Sequence, residues 1–204
     1  TPGGAPRDAS FASAVAAALD AGQRDFGENY LQDALPKIAQ YPQATWHFIG
    51  QIQSNKTKDI ATHFDVVHGL ASEKIARRLN DARPIGCPPL KAFIQVNLVN
   101  ESAKNGVVPE ALPSLVTRVQ DCQNLQLLGL MAMPPATFDL SERHRFFSEL
   151  AGLQTQIKAD FDLPQFQELS MGMSDDLETA IACGATWVRV GTAIFGARQS
   201  QQEA

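Results

Sequence analysis

A β/α barrel is the fold predicted by this 204-residue chain, and three observations carry the prediction. Helix-like and strand-like segments alternate from end to end, the pattern that builds a parallel sheet with helices outside it. The clearest strand, residues 91–98, is apolar nearly throughout, as a strand covered on both faces must be. The run from Glu168 to Gly196 then reads as strand, small-residue turn, helix, strand and a Gly-Thr turn opening a further helix. An open parallel sheet is the alternative that the same alternation allows.

Taken in order, residues 13–21 are rich in alanine and close on Gly22, a helix with a glycine stop. A short strand at 24–28 leads to helical spacing at 30–40. Residues 45–50 form a buried strand, followed by a polar helix over 54–63. A strand at 65–70 precedes a helix at 72–80, whose cap is Ser72, with no acid three residues on to complete a capping box. Beyond the 91–98 strand come a helix at 109–120, a strand at 125–133, a long helix at 140–159 and a strand at 166–171. A helix at 177–183 stops before Gly184, and 186–190 is the last strand. These seven strands, each followed by a helix, are one short of a closed (β/α)8 TIM-type barrel. The missing strand is the first, because Thr1-Pro-Gly-Gly-Ala-Pro6 is too rich in turn formers for a central strand. No linker-like composition interrupts residues 1–204, which read as a single domain.

Hydrophobic residues make up 44% of the chain, enough to furnish one large core. Seventeen basic against 22 acidic residues leave a net charge of −5, and with no basic block this argues against nucleic acid as a partner. Cys87, Cys122 and Cys183 lack any CxxC or Cys/His metal spacing and read as free thiols in a reducing cytosol. No apolar run approaches the roughly 20 residues of a membrane span, and the start does not resemble a secretory signal. The expectation is a cytoplasmic monomer with no metal, membrane or nucleic-acid partner.

The ends of the last two strands point to a ligand. Leu169-Ser-Met-Gly172 and Val188-Arg-Val-Gly-Thr192 put small residues before helix N-termini at one rim, where unpaired N–H groups and the helix dipole favour an anion. In barrels of this kind the loops after strands 7 and 8 are the usual phosphate site, so the expected ligand carries a phosphate. Arg189 is sent by strand alternation to the opposite face from Val188 and Val190. Buried arginine is rarely unpaired. It lies either beneath the Gly191-Thr192 turn, donating to a ring nitrogen or carboxylate, or in a buried pair with an acid such as Glu28.

Asn29, where a strand becomes a helix, either caps that helix or aims its amide into the barrel mouth. His47 lies within a strand, either as a satisfied core residue or, beside a charged partner, as one with a shifted pKa. Gln51, Ser54, Asn55 and Lys56 follow it on the next loop. Asn97, Asn100 and Lys104 follow the 91–98 strand, Lys104 as a solvated lysine or an anion contact. His68, Met131 and Met133 read as barrel-core or rim packing. No GxSxG, HExxH, GxGxxG or P-loop pattern occurs, and no carboxylate pair suits glycoside chemistry.

Several motifs carry a family resemblance: Phe26-Gly-Glu-Asn-Tyr30, Trp46-His-Phe-Ile-Gly-Gln-Ile-Gln-Ser-Asn-Lys56, Gln95-Val-Asn-Leu with Lys104-Asn-Gly106, Gly129-Leu-Met-Ala-Met133, Leu169-Ser-Met-Gly-Met-Ser-Asp-Asp176 and Arg189-Val-Gly-Thr-Ala-Ile-Phe-Gly196. In this order they resemble the pyridoxal phosphate homeostasis protein family, which looks like the barrel domain of alanine racemase standing alone. The resemblance implies a carrier or regulator of pyridoxal 5′-phosphate (PLP) that stores, delivers or buffers the cofactor without an established catalytic activity. PLP-dependent apo-enzymes are then its candidate recipients. Residue by residue, the resemblance places the phosphate at Ser170, Gly191 and Thr192, Arg189 near the pyridine nitrogen, and Asn29 and His47 along the ring. No catalytic residue is implied. An arginine at the ring nitrogen stays protonated and cannot stabilise a pyridinium as an acid would, which makes the cofactor a weaker electron sink.

The chain departs from the family at one place. Family members have a first strand ending in Ser-Lys-Thr, whose lysine binds the cofactor aldehyde covalently. Here Pro6-Arg-Asp-Ala-Ser-Phe11 holds no lysine, and the first lysine is Lys37, within a helix. The missing strand and the missing lysine are one gap, and binding without a covalent link is the expectation for the chain as it stands. A PLP-dependent, racemase-like enzyme is the alternative function. It needs a β-rich second domain that supplies a catalytic tyrosine, whereas only Tyr30 and Tyr41 occur and the sequence stops soon after its last strand motif. A barrel whose rim binds another phosphorylated metabolite is the third reading.

Overall fold

The computed structural model describes residues 8–99 and 105–196, with side chains described from Ala14 onward. The turn-rich opening at 1–6, Asn100 and Lys104 lie outside the described residues. Helix α1 (Asp8–Asp20) leads into β1 (Asp25–Glu28), α2 (Leu31–Gln40), β2 (Thr45–Phe48), α3 (Thr57–His63), β3 (Val66–Leu70) and α4 (Glu73–Ala82). The second half runs β4 (Leu90–Gln95), α5 (Leu112–Gln120), β5 (Leu125–Met131), α6 (Leu140–Asp160), β6 (Glu168–Met173), α7 (Leu177–Ala182), β7 (Trp187–Arg189) and α8 (Thr192–Phe195). Among the described residues there are seven strands, all parallel and in the order β1-β2-β3-β4-β5-β6-β7. The alternation read from the sequence is present element by element.

The sheet curls into a nearly closed barrel. In a flat sheet β2 and β7 would stand about 24 Å apart, five inter-strand spacings. Instead the rings of His47 on β2 and Trp187 on β7 have centroids 5.0 Å apart. Strand alternation therefore feeds two separate cores. Outward residues such as Trp46, Phe48, Val67, Ile94 and Leu130 pack under the helices in one large cluster. Inward residues Val66, Phe93 and Met131, with Leu128 and Trp187 against them, form a small second cluster inside the barrel.

Local signals explain most boundaries. Ser72 caps α4 by accepting from the Ile75 backbone N–H. The full capping box lies elsewhere, at Asp139 and Glu142 before α6, which secures the longest helix. The helices read at 54–63 and 109–120 each open with a 3₁₀ turn, Ser54–Lys56 and Pro109–Ala111, before the α-helix begins. Gly129 marks a register shift between β4 and β5 where a Cβ would collide with the Glu168 backbone carbonyl, so only glycine admits this approach of β5 to β6. Val188, on β7, is 36% exposed. β7 lies at the end of the sheet, and the four-residue α8 that follows is too short to cover its outer face.

Candidate functional site

Parallel strands bring their C-terminal ends, and the loops after them, to one rim. Asn29, Gly50, Ser174 and the Gly191-Thr192 turn all follow strand ends there. Asn29 does not cap α2. The N-cap position is Tyr30 and no side chain bonds there, while the Asn29 side chain is half-buried at the mouth. Its backbone is held tightly, because the Asn29 carbonyl lies 2.3 Å from where a Cβ on Gly50 would stand. At the other edge of the sheet Gly191 is the N-cap of α8, and both Gly191 and Thr192 are exposed. In the first turn of α8 the Ile194 N–H donates to the Gly191 carbonyl at 3.0 Å, and the N–H groups before it have no intrahelical acceptor. One of them, Ala193, donates to the Ser174 hydroxyl at 3.4 Å.

Beneath the rim a row of polar side chains crosses the barrel interior. Arg189 Nη1 donates to Ser170 Oγ at 2.6 Å, and Ser170 Oγ lies 2.7 Å from His68 Nδ1. His68 Nε2 is 2.9 Å from His47 Nδ1, and His47 Nε2 is 3.0 Å from Asp25 Oδ1. Ser170, His68 and His47 are all buried. His68 stacks on Phe93 with centroids 4.5 Å apart, which holds the ring in place. Five strands thus contribute one continuous chain of partners that no stretch of sequence contains.

The electrostatics follow from burial. Burial depresses the His47 imidazolium by more than the hydrogen bond and charge of Asp25 restore. His68 is driven well below the ordinary histidine range by burial first, then by the charges of His47 and Arg189. Arg189 itself falls to about 10 through burial, partly offset by Asp176. It remains a cation at neutral pH. Asp176 faces it from the start of α7, held by the Met173 N–H at 2.6 Å and by Arg143 Nη1 at 3.4 Å.

Each residue singled out from the sequence has a definite place. The Arg189–Glu28 pair is not formed: Glu28 is ion-paired with Lys37 instead. Arg189 makes no ion pair among the described residues. Among the described residues it donates, besides Ser170, only to the Ala132 carbonyl at 3.4 Å, so most of its five N–H donors find no acceptor there. Gly191 and Thr192 stand open at the rim, whereas Ser170, expected beside them, has its hydroxyl wholly buried between Arg189 and His68. His47 has both ring nitrogens engaged and meets its surroundings through the ring face. Met131 is buried in the barrel core and Met133 is 44% exposed at the rim. The reading of His68 as packing missed its role in the polar row, and Asp25 and Ser174 were not singled out at all. A signal existed: Asp25, His47, His68 and Ser170 each alternate with apolar residues that face outward, at 26, 46 and 48, 67, and 169 and 171.

Comparison with known proteins places this geometry in context. The alanine racemase N-terminal domain family matches residues 8–199. The pyridoxal phosphate homeostasis protein of Pseudomonas aeruginosa is 52% identical over 189 residues, covering 92% of this chain and 80% of that protein. Its counterpart in Escherichia coli K12 is 44% identical over 192 residues, 92% of this chain and 81% of that protein. The structure of PipY from Synechococcus elongatus PCC7942 with PLP bound superposes with a TM-score of 0.85 at 36% identity, over 91% of this chain and 87% of that one. Alanine racemase from Clostridium difficile 630 shares the fold, with a TM-score of 0.71 at 10% identity over 94% of this chain and 50% of the racemase. Among the described residues no helix is long and apolar enough to cross a membrane, and no cluster of ligands is suited to a metal.

Proposed function

Because this chain belongs to the pyridoxal phosphate homeostasis protein family, built on the alanine racemase N-terminal domain, we propose that it binds PLP at the rim and holds it without catalysing a reaction. The residues present suit the cofactor. Gly191, Thr192 and Ser174 offer backbone and hydroxyl donors to the phosphate, with Ser170 supporting Arg189 from below. Arg189 turns its remaining donors to the pyridine nitrogen, and the half-buried Asn29 amide meets the ring from the other side. His47 supports the ring site from beneath rather than by a polar contact. The observation that carries the reading is Arg189, a half-buried cation with spare donors at the barrel mouth.

When bound, PLP supplies an aldehyde and an electron-withdrawing ring. An arginine at the ring nitrogen leaves that nitrogen unprotonated, which limits the ring's capacity to take up electrons and suits holding more than turnover. This favours cofactor storage, delivery or buffering over racemisation, with PLP-dependent apo-enzymes as recipients. Lys37, paired with Glu28, and Lys56, on a 3₁₀ turn, are poor candidates for a shielded covalent link.

The test is a pair of equilibrium titrations, with PLP and with pyridoxal, which lacks the phosphate. Two charge-assisted donors at about 1.5 kcal/mol each predict a preference for PLP of at least about a hundred-fold. Thr192→Val should erase about ten-fold or more of it. Equal affinity for the two compounds would overturn the phosphate site, and racemisation of alanine by the PLP-loaded protein would overturn the non-catalytic reading.

A further inference from the structure

The polar row inside the barrel has a property that follows from counting protons. Arginine only donates, so Ser170 Oγ accepts from Arg189. At the other end the Asp25 carboxylate accepts, so His47 carries a proton on Nε2. With both imidazoles neutral, His47 Nδ1 is then a bare acceptor and must take the His68 Nε2–H. His68 Nδ1 is bare in turn and takes the Ser170 O–H. Every hydrogen bond runs the same way, from Arg189 to Asp25, and the Ser170 hydrogen is turned inward, away from the rim.

A single added proton reverses the middle of the row. The imidazolium of His47 donates from both nitrogens, to Asp25 and to His68 Nε2. His68 must then hold its own proton on Nδ1 and donate it to Ser170 Oγ. The Ser170 hydrogen is set free beneath Arg189. No heavy atom has to move, because all four distances lie between 2.6 and 3.0 Å and serve both polarities.

We infer that His47 and His68 are positioning residues for the Ser170–Arg189 pair, and that the state of the two histidines decides whether the Ser170 hydroxyl is spent inward or offered towards the ligand. The ligand half of this inference rests on the PLP reading above. The Asp25 side chain is 41% exposed. The charged groups around the row divide in sign. Asp25 on β1 and Asp65 before β3 favour the protonated His47, and Lys91 on β4 opposes it. Arg189 on β7 opposes charge on His68, and Asp176 at α7 supports Arg189. Glu168 on β6 also faces the interior but is bonded by Trp187 Nε1 at 3.0 Å. Acids predominate at the His47 end and the cation at the His68 end, so the added charge settles on His47 and the neutral row is the resting state at pH 7.

Nitrogen-15 histidine NMR on the whole chain tests the relay without any ligand. His63→Gln, His144→Gln and His47→Gln variants together assign the four histidines. At pH 7.5 both His47 and His68 should be Nε2–H tautomers. On acidification His47 should gain a proton while His68 moves its own from Nε2 to Nδ1 at the same midpoint. A neutral-pH Nδ1–H tautomer of His68, or a His68 unchanged through the His47 transition, would overturn the relay.

PLP affinity measured across that midpoint, in wild type and Ser170→Ala, tests the consequence. The ratio of the two affinities should grow about two- to ten-fold on the acid side, the worth of one hydrogen bond, whatever the cofactor's own titration does. A flat ratio with reversing tautomers would overturn the coupling to the ligand. Absence of PLP binding at every pH would instead sink the proposed function and leave the NMR result to judge the relay.

Discussion

Replacing Gly50 by alanine tests how tightly the rim is built. An ideal Cβ on Gly50 stands 2.3 Å from the Asn29 carbonyl oxygen, 3.0 Å from its carbon and 3.1 Å from the Asn29 Cα. Ordinary contact begins near 3.4 Å, so the two chain segments must separate by about 1 Å. All three obstacles are backbone, and none can swing aside as a side-chain tip would. Retreat in the other direction is also closed, because the Gly50 carbonyl lies 2.6 Å from where a Cβ on Gly69 would stand. Gly50 is not in the left-handed region, so the cost is one of space and not of backbone conformation. Overpacking of this kind costs about 1–3 kcal/mol, which for a chain of this size lowers Tm by about 2–10 °C. Thermal melts followed by circular dichroism would measure the drop. PLP titration of the folded variant should show weaker binding as well, because the displaced segment carries Asn29. A Tm within about 1 °C of wild type would refute the claim that the rim segments are locked by backbone contact.

Gly152, exposed in the middle of α6 with nothing within 4 Å of its missing Cβ, provides the opposite case: Gly152→Ala should raise stability by about 0.5–1 kcal/mol in urea unfolding, and a loss would contradict it. Stability should also fall with pH. His47 and His68 have folded pKa values below the ordinary 6.5, so the unfolded chain binds protons that the folded chain refuses. Their contribution is complete above about pH 6.5 and is lost as pH falls towards the lowered values. Urea midpoints should therefore decline from pH 7 to pH 5, less steeply in His68→Asn, and a constant midpoint would count against buried neutral histidines. Finally, borohydride treatment of the PLP-loaded 204-residue chain followed by peptide mapping should leave no single lysine labelled at high occupancy. A pyridoxyl group fixed on one lysine would name the residue that holds the cofactor covalently.

Secondary structure was legible because it depends on neighbours in sequence. The strand at 91–98 is apolar at nearly every position, and burial on both faces of a parallel sheet requires that pattern. Gly22, Ser72 and Gly184 mark helix ends through backbone chemistry that each residue carries with it. The Gly191-Thr192 turn was legible for the same reason, since small residues before a helix advertise open N–H groups. Partner choice was not legible. Glu28 looked like a mate for Arg189, yet it pairs with Lys37, nine residues on in the next helix. Ser170 looked like a rim hydroxyl, yet it lies wholly buried, while Ser174 reaches the Ala193 N–H.

What the sequence by itself determined is the alternation of strands and helices, the acidic composition, and the Gly191-Thr192 turn that opens the last helix. These follow from periodicity, from charge counts and from capping chemistry, all local or additive properties. Only the tertiary structure decided which inward residues meet. Curling brings β3 against β6 across the barrel, so that His68 and Ser170, 102 residues apart in the chain, share a hydrogen bond of 2.7 Å. A strand histidine in an apolar run has the same local pattern whether it packs or relays a proton. The difference is set by the residue opposite it across the barrel, which barrel closure and strand register alone select.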